Sequence, residues 1–172
     1  MTSRFKIRIA AVDDCAIIAH HRSAMFGDMG TLNAAHIAKL DSLTIAFLRD
    51  AISQGSYVGF LVSPNDDSST VVAGAGVQLR QVMPFPWGPV DTQTIARGHE
   101  AIVLNVYTES AYRRFGLARL LMEHIIVWAR ESHIESLVLR ASTEGLPLYE
   151  QLGFVQTNEM RLSQQLLPEV AR

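Results

Sequence analysis

Residues 101–129 constrain the fold more than any other part of this 172-residue chain. They begin with the apolar run of residues 101–106, which is typical of a strand buried on both faces. After a short turn, apolar residues recur at helical spacing; they are Leu117, Leu120, Leu121, Ile125 and Trp128. This spacing predicts a helix with one apolar face, so the segment is a strand, a turn and a helix.

The turn between this strand and this helix has the composition of an anion site. Residues 113–118 read RRFGLA. Backbone N–H groups at a helix start have no partners within the helix and carry part of its dipole, and Gly116 lets a ligand approach them closely. Arg113 and Arg114 add positive charge that suits phosphate oxygens. The three glycines of a dinucleotide fingerprint and the Gly-Lys-Ser/Thr of a P-loop are both missing, which excludes those two sites.

Composition indicates one compact domain spanning residues 1–172, with 48% hydrophobic and 19% charged residues. The net charge of −2 gives no reason to expect nucleic acid or an anionic membrane as a partner. The single cysteine, Cys15, forms no internal disulfide, and we interpret it as a small buried hydrophobe. No segment resembles a signal peptide or a membrane span, so a cytoplasmic location is expected.

The remaining pattern predicts a layered α/β domain with a mixed sheet. A strand is expected over residues 4–10, and helices over 15–26 and 31–53, the second of them broken near 41–42. A hairpin of strands follows at 56–62 and 69–82, where Gly74 and Gly76 mark a bulge or close packing. The predicted elements around the central strand and helix are an irregular loop at 83–98, a strand at 135–141, a short helix at 144–152 and one or two closing strands at 154–166.

Two motifs together resemble the GNAT superfamily of acetyl-CoA-dependent N-acetyltransferases. Residues 113–118 match its Gln/Arg-x-x-Gly-x-Gly/Ala signature, with Ala118 in the place of the last glycine, and residues 148–154 (LYEQLGF) resemble its L-Y-E-x-x-G-F segment. The resemblance is strong from about residue 102 to 155. It implies a single-domain fold whose mixed, mostly antiparallel sheet has a central, splayed parallel strand pair flanked by helices.

The resemblance also implies which residues would bind acetyl-CoA, with no metal. Backbone N–H groups of Arg114, Gly116, Leu117 and Ala118 would surround the pyrophosphate. Val106, Tyr107 and Thr108 would lie beside the pantetheine arm, on a strand that carries a bulge. The other expected contacts are Arg113, Phe115, Arg119 and Ser142. Ser142 stands where many members have an asparagine, and Arg119 could equally pair with Glu123 four residues on.

The implied reaction is acetyl transfer to a primary amine of a small molecule or a protein, by direct attack in a ternary complex. The Thr108 N–H is the expected donor to the thioester carbonyl. Tyr149 is the expected general acid, and a packing residue is the alternative for it. Glu100 is the candidate base, because its even spacing from Thr108 puts both side chains on one face if no bulge intervenes. Rivals for the base are His99, Glu109, Asp28 and a water molecule, and a solvated glutamate is the alternative for Glu100.

The acceptor is expected between the N-terminal helices and the loops before the central strand. Met25, Phe26 and Asp28 are the leading candidates to line this site, and His20, His21 and Arg22 lie near them in the chain. A turn aspartate is the alternative interpretation of Asp28. A homodimer is expected from the resemblance. Two competing functions stay open: a non-catalytic module that binds or senses acyl-CoA, and a structural or interaction domain whose site has decayed.

Overall fold

The computed structural model describes residues 4–157 and 159–162. Its main sheet contains, in spatial order, β1 (Phe5–Ile9), β2 (Tyr57–Pro64), β3 (Ala73–Gln81), β6 (His99–Thr108) and β7 (Ser136–Leu139). A separate two-stranded hairpin contains β4 (Phe85–Trp87) and β5 (Thr94–Ala96). The helices are α1 (Cys15–Asp28), α2 (Ile37–Ser53), α3 (Leu117–Glu131) and α4 (Leu146–Gln151).

The main sheet is mixed. Pairs β1–β2, β2–β3 and β3–β6 are antiparallel, whereas β6 and β7 are parallel. The parallel pair follows from the connection, because α3 carries the chain back over the sheet before β7 begins. The expected fold class, a mixed and mostly antiparallel sheet with one parallel pair flanked by helices, is confirmed.

Helices cover both faces of the sheet, as the strand alternation requires. In β2, Phe60 and Val62 pack with Leu121 and Ile125 of α3 on one face. On the other face, Tyr57 and Leu61 of β2 join a second buried cluster, whose members from α1 and α2 are Cys15, Ile18, Leu48 and Ala51. Successive residues of one strand therefore supply two cores, which explains why the strand sequences are apolar throughout.

Two predictions about the N-terminal helices were wrong in detail. Helix α1 continues through Gly27 to Asp28, and the chain turns only at Gly30, which has a φ of 65°. Helix α2 begins at Ile37 after a 3-10 turn at Ala34–His36, and it runs without a break through residues 41–42. Polar residues there do not end the helix, because its apolar face continues with buried Leu48 and Ala51.

Other boundaries also differ from the sequence pattern. Strand β3 begins at Ala73 because Ser69 and Thr70 hydrogen-bond to the Asp67 carboxylate and form a turn. Residues 83–98 contain the β4–β5 hairpin instead of being irregular throughout. The closing strands predicted over residues 154–166 are not found at 154–157 or 159–162, and residues 163–166 lie outside the described residues.

Candidate active site

The start of helix α3 presents unpartnered backbone N–H groups to open space. Arg114 and Gly116 both adopt positive φ, 65° and 80°, and α3 begins directly after them. The N–H of Leu120 donates to the Gly116 carbonyl at 3.0 Å. The three preceding helical N–H groups, those of Leu117, Ala118 and Arg119, meet no acceptor among the described residues. A methyl group built on Gly116 would contact nothing within 4 Å, so this helix start suits an anion.

A cleft of about 390 Å³ opens beside this helix start. It lies between the beginning of β1 and the first turns of α3, and Phe115 forms part of its wall. The half-exposed Phe115 ring packs edge-on against Phe5, with ring centroids 6.2 Å apart. The Arg4 guanidinium lies 5.6 Å from the centroid of the same Phe115 ring.

The two arginines of the loop between β6 and α3, and Arg119 in the first turn of α3, have different partners. Arg113 forms an ion pair with Asp28, and its Nε donates to the Thr108 carbonyl at 3.1 Å. The Asp28 carboxylate raises the pKa of Arg113. Arg119 donates to Gln151 Oε1 at 2.5 Å and lies 3.8 Å from Glu123, so the alternative i,i+4 pair is present. The exposed Arg114 has no ion-pair partner among residues 4–157 and 159–162.

Strand β6 carries a bulge just before this loop. Tyr107 pairs with Gly74 and Leu104 with Gly76, so two residues of β6, Asn105 and Val106, lie opposite one residue of β3. Asn105 has a φ of 56°, a conformation that asparagine tolerates better than most side chains do. Pairing of β6 with β7 extends only to Val103, opposite Leu139. The last five residues of β6 therefore have no partner strand on the β7 side within the described part of the chain.

The backbone of Thr108 faces this open side. Thr108 stands opposite Ala73, and the next N–H, that of Glu109, donates to the Val72 carbonyl at 2.9 Å. Thr108 is thus in a non-hydrogen-bonded pair, in which the N–H of the residue points away from the neighbouring antiparallel strand. The Thr108 N–H therefore points to the side of β6 that is left open where its pairing with β7 has ended.

Tyr149 lies on helix α4, which Arg119 and Gln151 tie to the start of α3. The phenol ring packs edge-on against Phe154, with centroids 6.1 Å apart, and burial raises the pKa of Tyr149. No described residue hydrogen-bonds the hydroxyl, and that oxygen is not among the fully enclosed polar atoms. The group is therefore a protonated phenol whose hydroxyl is free to donate.

Ser142 caps the turn that leads into α4. Its Oγ accepts a hydrogen bond from the Gly145 N–H at 3.1 Å, and its carbonyl accepts from the same N–H and from Leu146. The hydroxyl proton of Ser142 is not used in this cap, so the side chain can still donate one hydrogen bond.

Helix α1 brings a set of polar side chains against the bulge. Arg22 donates from Nη1 to Asn105 Oδ1 at 2.6 Å, and its guanidinium lies 4.9 Å from the Phe26 ring centroid. His20 Nε2 is 3.2 Å from Glu109 Oε1. Met25 and Phe26 are half-buried on the same helix, which contacts β6 through Arg22 and His21.

Glu100 lies at the other end of β6. Its carboxylate is bound on both sides by cross-strand neighbours: Arg80 at 2.5 Å and the Ser136 hydroxyl at 2.9 Å. Eight residues of strand separate it from Thr108, roughly 26 Å at 3.3 Å per residue. The bulge at Asn105 also intervenes, so the condition for a shared face with Thr108 is not met.

Two residues of the site, Tyr57 and Asn105, were missed by sequence reasoning. Asn105 is buried, and its Nδ2 lies 3.5 Å from the Tyr57 hydroxyl. Burial raises the pKa of Tyr57 to about 12. A methyl group on Gly76 would be 1.8 Å from the Tyr57 oxygen, so this glycine makes room for the phenol. The sequence signal for these two residues was an asparagine inside the apolar run AIVLNV, together with the glycines of β3.

The described residues favour neither a thiol nucleophile nor a metal site. Cys15 is buried, and burial raises the pKa of its thiol, which disfavours the thiolate that a nucleophile needs. In the part of the chain that the structure describes, no group of three or more His, Cys, Asp or Glu side chains is arranged to hold a metal ion. No described helix combines the length and the apolar character needed to cross a bilayer.

Known proteins share this fold. A GCN5-related N-acetyltransferase from Ralstonia eutropha JMP134 is 26% identical, with a TM-score of 0.80 and coverage of 94% of this chain and 99% of that one. A predicted acetyltransferase from Clostridium acetobutylicum, solved with acetyl-CoA, is 21% identical, with a TM-score of 0.78 and coverage of 94% and 97%. No curated protein sequence matches significantly. Residues 25–154 match the family model described as Acetyltransferase (GNAT) family. The match spans most of the chain, which therefore belongs to the GNAT family of acetyltransferases.

Proposed function

We propose that the protein transfers the acetyl group of acetyl-CoA to a primary amine, on a small molecule or a protein, by direct attack in a ternary complex. The carrying observation is the juxtaposition of an anion-binding helix start with the open, bulged end of β6. The buried state of Cys15 supports direct attack, because the chain has no other thiol that could hold the acetyl group.

The residues at the start of α3 fit the diphosphate of CoA. Unpartnered N–H groups of Leu117, Ala118 and Arg119, together with the Arg114 guanidinium, would bind its oxygens. Val106, Tyr107 and Thr108 would line the pantetheine arm along the gap beside β7. Arg113 and Arg119 would act mainly by holding the loop, since each is bonded to another part of the chain. Acetyl-CoA supplies an activated thioester when bound.

Two groups of the chain would act on that thioester. The Thr108 N–H, directed into the gap, would stabilise negative charge on the carbonyl oxygen, an effect of about 10²–10³ in rate. Tyr149 would give its phenol proton to the sulfur as the carbon–sulfur bond breaks. Its raised pKa keeps that proton in place throughout the neutral range.

His20 would take the proton from the attacking amine, and Glu109 would orient its imidazole. Glu109 directly follows Thr108, and its Oε1 lies 3.2 Å from His20 Nε2, so the carboxylate can orient the imidazole. Of the other candidates, Asp28 is paired with Arg113, and Glu100 is held by Arg80 and Ser136. Glu100 therefore has a structural role, and the His20–Glu109 pair acts as the base in its place.

The direct experiment combines calorimetry with acetyl-CoA and thiol-release kinetics over a panel of amines. Tyr149→Phe should lower kcat by about 10²–10⁴ and change acetyl-CoA affinity less than twofold. Tyr112→Phe, which removes a hydroxyl from the loop between β6 and α3, is the matched control and should keep full activity. His20→Gln should also lower kcat, whereas Glu100→Gln should not.

Two results would contradict this proposal. Binding of acetyl-CoA without turnover on any amine, with Tyr149→Phe unchanged, would favour the acyl-CoA-binding module. Loss of activity in Glu100→Gln but not in His20→Gln would return the base to Glu100. The homodimer and the cytoplasmic location stay predictions; light scattering after size exclusion and cell fractionation would test them.

A further inference from the structure

Arg22 holds an unpaired positive charge on the acceptor side of the bulge. Its guanidinium is partly buried between the Asn105 amide, which accepts from Nη1 at 2.6 Å, and the Phe26 ring, whose centroid is 4.9 Å away. Both contacts fix the plane of the guanidinium, but neither supplies negative charge. Burial lowers the pKa of Arg22, as expected for a desolvated cation without a counter-ion.

The neighbouring carboxylates are already paired with other groups. Asp28, at the end of the same helix, forms its ion pair with Arg113. Glu109 lies between His20 and His21, at 3.2 Å and 3.5 Å from their Nε2 atoms. No carboxylate among the described residues lies within 4.0 Å of an Arg22 nitrogen. A partly buried arginine without a carboxylate partner lowers the stability of the fold. This points to a ligand whose negative charge pairs with Arg22.

The rest of the guanidinium is available to such a ligand. Arg22 makes no hydrogen bond from Nε or Nη2 to any described residue, and neither atom is among the fully enclosed, unsatisfied polar atoms. These donors therefore reach solvent-accessible space. An arginine edge with two parallel N–H groups matches the two oxygens of a carboxylate.

We infer that the acceptor amine carries a carboxylate group, which Arg22 binds while the amine faces the thioester. This inference rests on the proposed function and specifies its substrate class. Asn105 is the positioning residue: its backbone forms the bulge that opens β6, and its side chain holds Arg22 beside that opening. Asn105 would thus fix the distance between the thioester, which lies beside the bulge, and the substrate carboxylate, which Arg22 binds.

The test compares each of the common amino acids with its own carboxamide in thiol-release assays. Wild-type kcat/KM should be about 10- to 100-fold higher for the carboxylate form of the best acceptor, the range of a charge-assisted hydrogen bond. Arg22→Gln should bring this ratio close to one by slowing only the carboxylate form. Arg22→Lys should keep part of the ratio, because the charge stays and the fork geometry is lost.

Two further variants separate recognition from folding. Arg130→Gln, on the exposed end of α3, is the control and should leave the ratio unchanged. Asn105→Asp keeps a side chain that tolerates positive φ and gives Arg22 an internal carboxylate, so it should lower the ratio without removing Arg22.

The outcomes distinguish this inference from the proposed function. An equal or higher rate with carboxamides, or an equal loss on both forms in Arg22→Gln, overturns the inference and leaves amine acetylation standing. Acetyl-CoA binding without turnover on any amine of the panel, these acids and amides included, overturns the proposed function, and the inference with it.

Discussion

At the scale of single residues, burial controls which groups around the bulge are charged. Burial, with the nearby His20, lowers the pKa of His21 to about 4, even though Glu109 lies 3.5 Å from its Nε2. That contact lacks hydrogen-bond geometry, so Nε2 has no partner, and desolvation dominates over attraction. Burial likewise keeps Tyr57 protonated. At neutral pH, His21 and Tyr57 are therefore uncharged, whereas Arg22 beside them is charged.

The neutral state of His21 predicts how stability depends on pH. The imidazole has a pKa of 6.5 when exposed and about 4 in the fold, so the unfolded chain binds more protons between these values. The free energy of unfolding should be highest above pH 6.5 and fall as the pH drops toward 4. The titration of His21 alone should lower the free energy of unfolding by about 2 kcal/mol between pH 7.5 and pH 5.

Urea unfolding at these two pH values measures the effect. His21→Gln should reduce the pH dependence by about that amount, whereas His36→Gln, at an exposed position, should leave it unchanged. An identical pH dependence in wild type and His21→Gln would show that His21 titrates alike in the folded and unfolded chains.

At the scale of elements, the bulge in β6 separates what the sequence predicts from what it does not. The buried strand, helix α3 and the loop residues followed from apolar periodicity and from the RRFGLA motif. The same-face argument for Glu100 and Thr108 failed because strand parity holds only without a bulge. A bulge depends on the register of the partner strand, which one strand's residues do not specify.

Asn105 should be required for the shape of this element. Asn105→Val places a β-branched side chain at a φ of 56° and should destabilise the protein by about 1–3 kcal/mol, with loss of activity. Asn105→Gly accepts the same φ, so it should retain most of the stability while it loses the hydrogen bond that Asn105 accepts from Arg22. Equal stability of the two variants in urea unfolding would contradict the assigned backbone strain.

At the scale of the whole molecule, one sheet joins two helical layers into a single unit. Alternate residues of β2 belong to the two buried clusters, so neither layer keeps its core when the strand is lost. The proposed acceptor residues come from α1 and the proposed anion site from α3, on opposite faces of the sheet. The site is therefore assembled only by the complete sheet.

This arrangement predicts a single cooperative unfolding transition in calorimetry, as expected of one domain. Acetyl-CoA at 100 times its dissociation constant should stabilise the fold by about 2.7 kcal/mol and raise Tm by roughly 5–10 °C. Two separate transitions, with only one of them shifted by acetyl-CoA, would contradict the single-domain account.

The most direct test measures CoA binding to Gly116→Val by calorimetry. Gly55→Val is the matched control: Gly55 has a φ of 70° and, like Gly116, open space around its α-carbon, but it lies at the end of α2. Both variants carry the same backbone strain, so only the site differs. The account predicts that Gly116→Val loses at least tenfold in CoA affinity but not in affinity for pantetheine, while Gly55→Val binds both as the wild type does. A folded Gly116→Val protein that binds CoA with unchanged affinity would contradict the account.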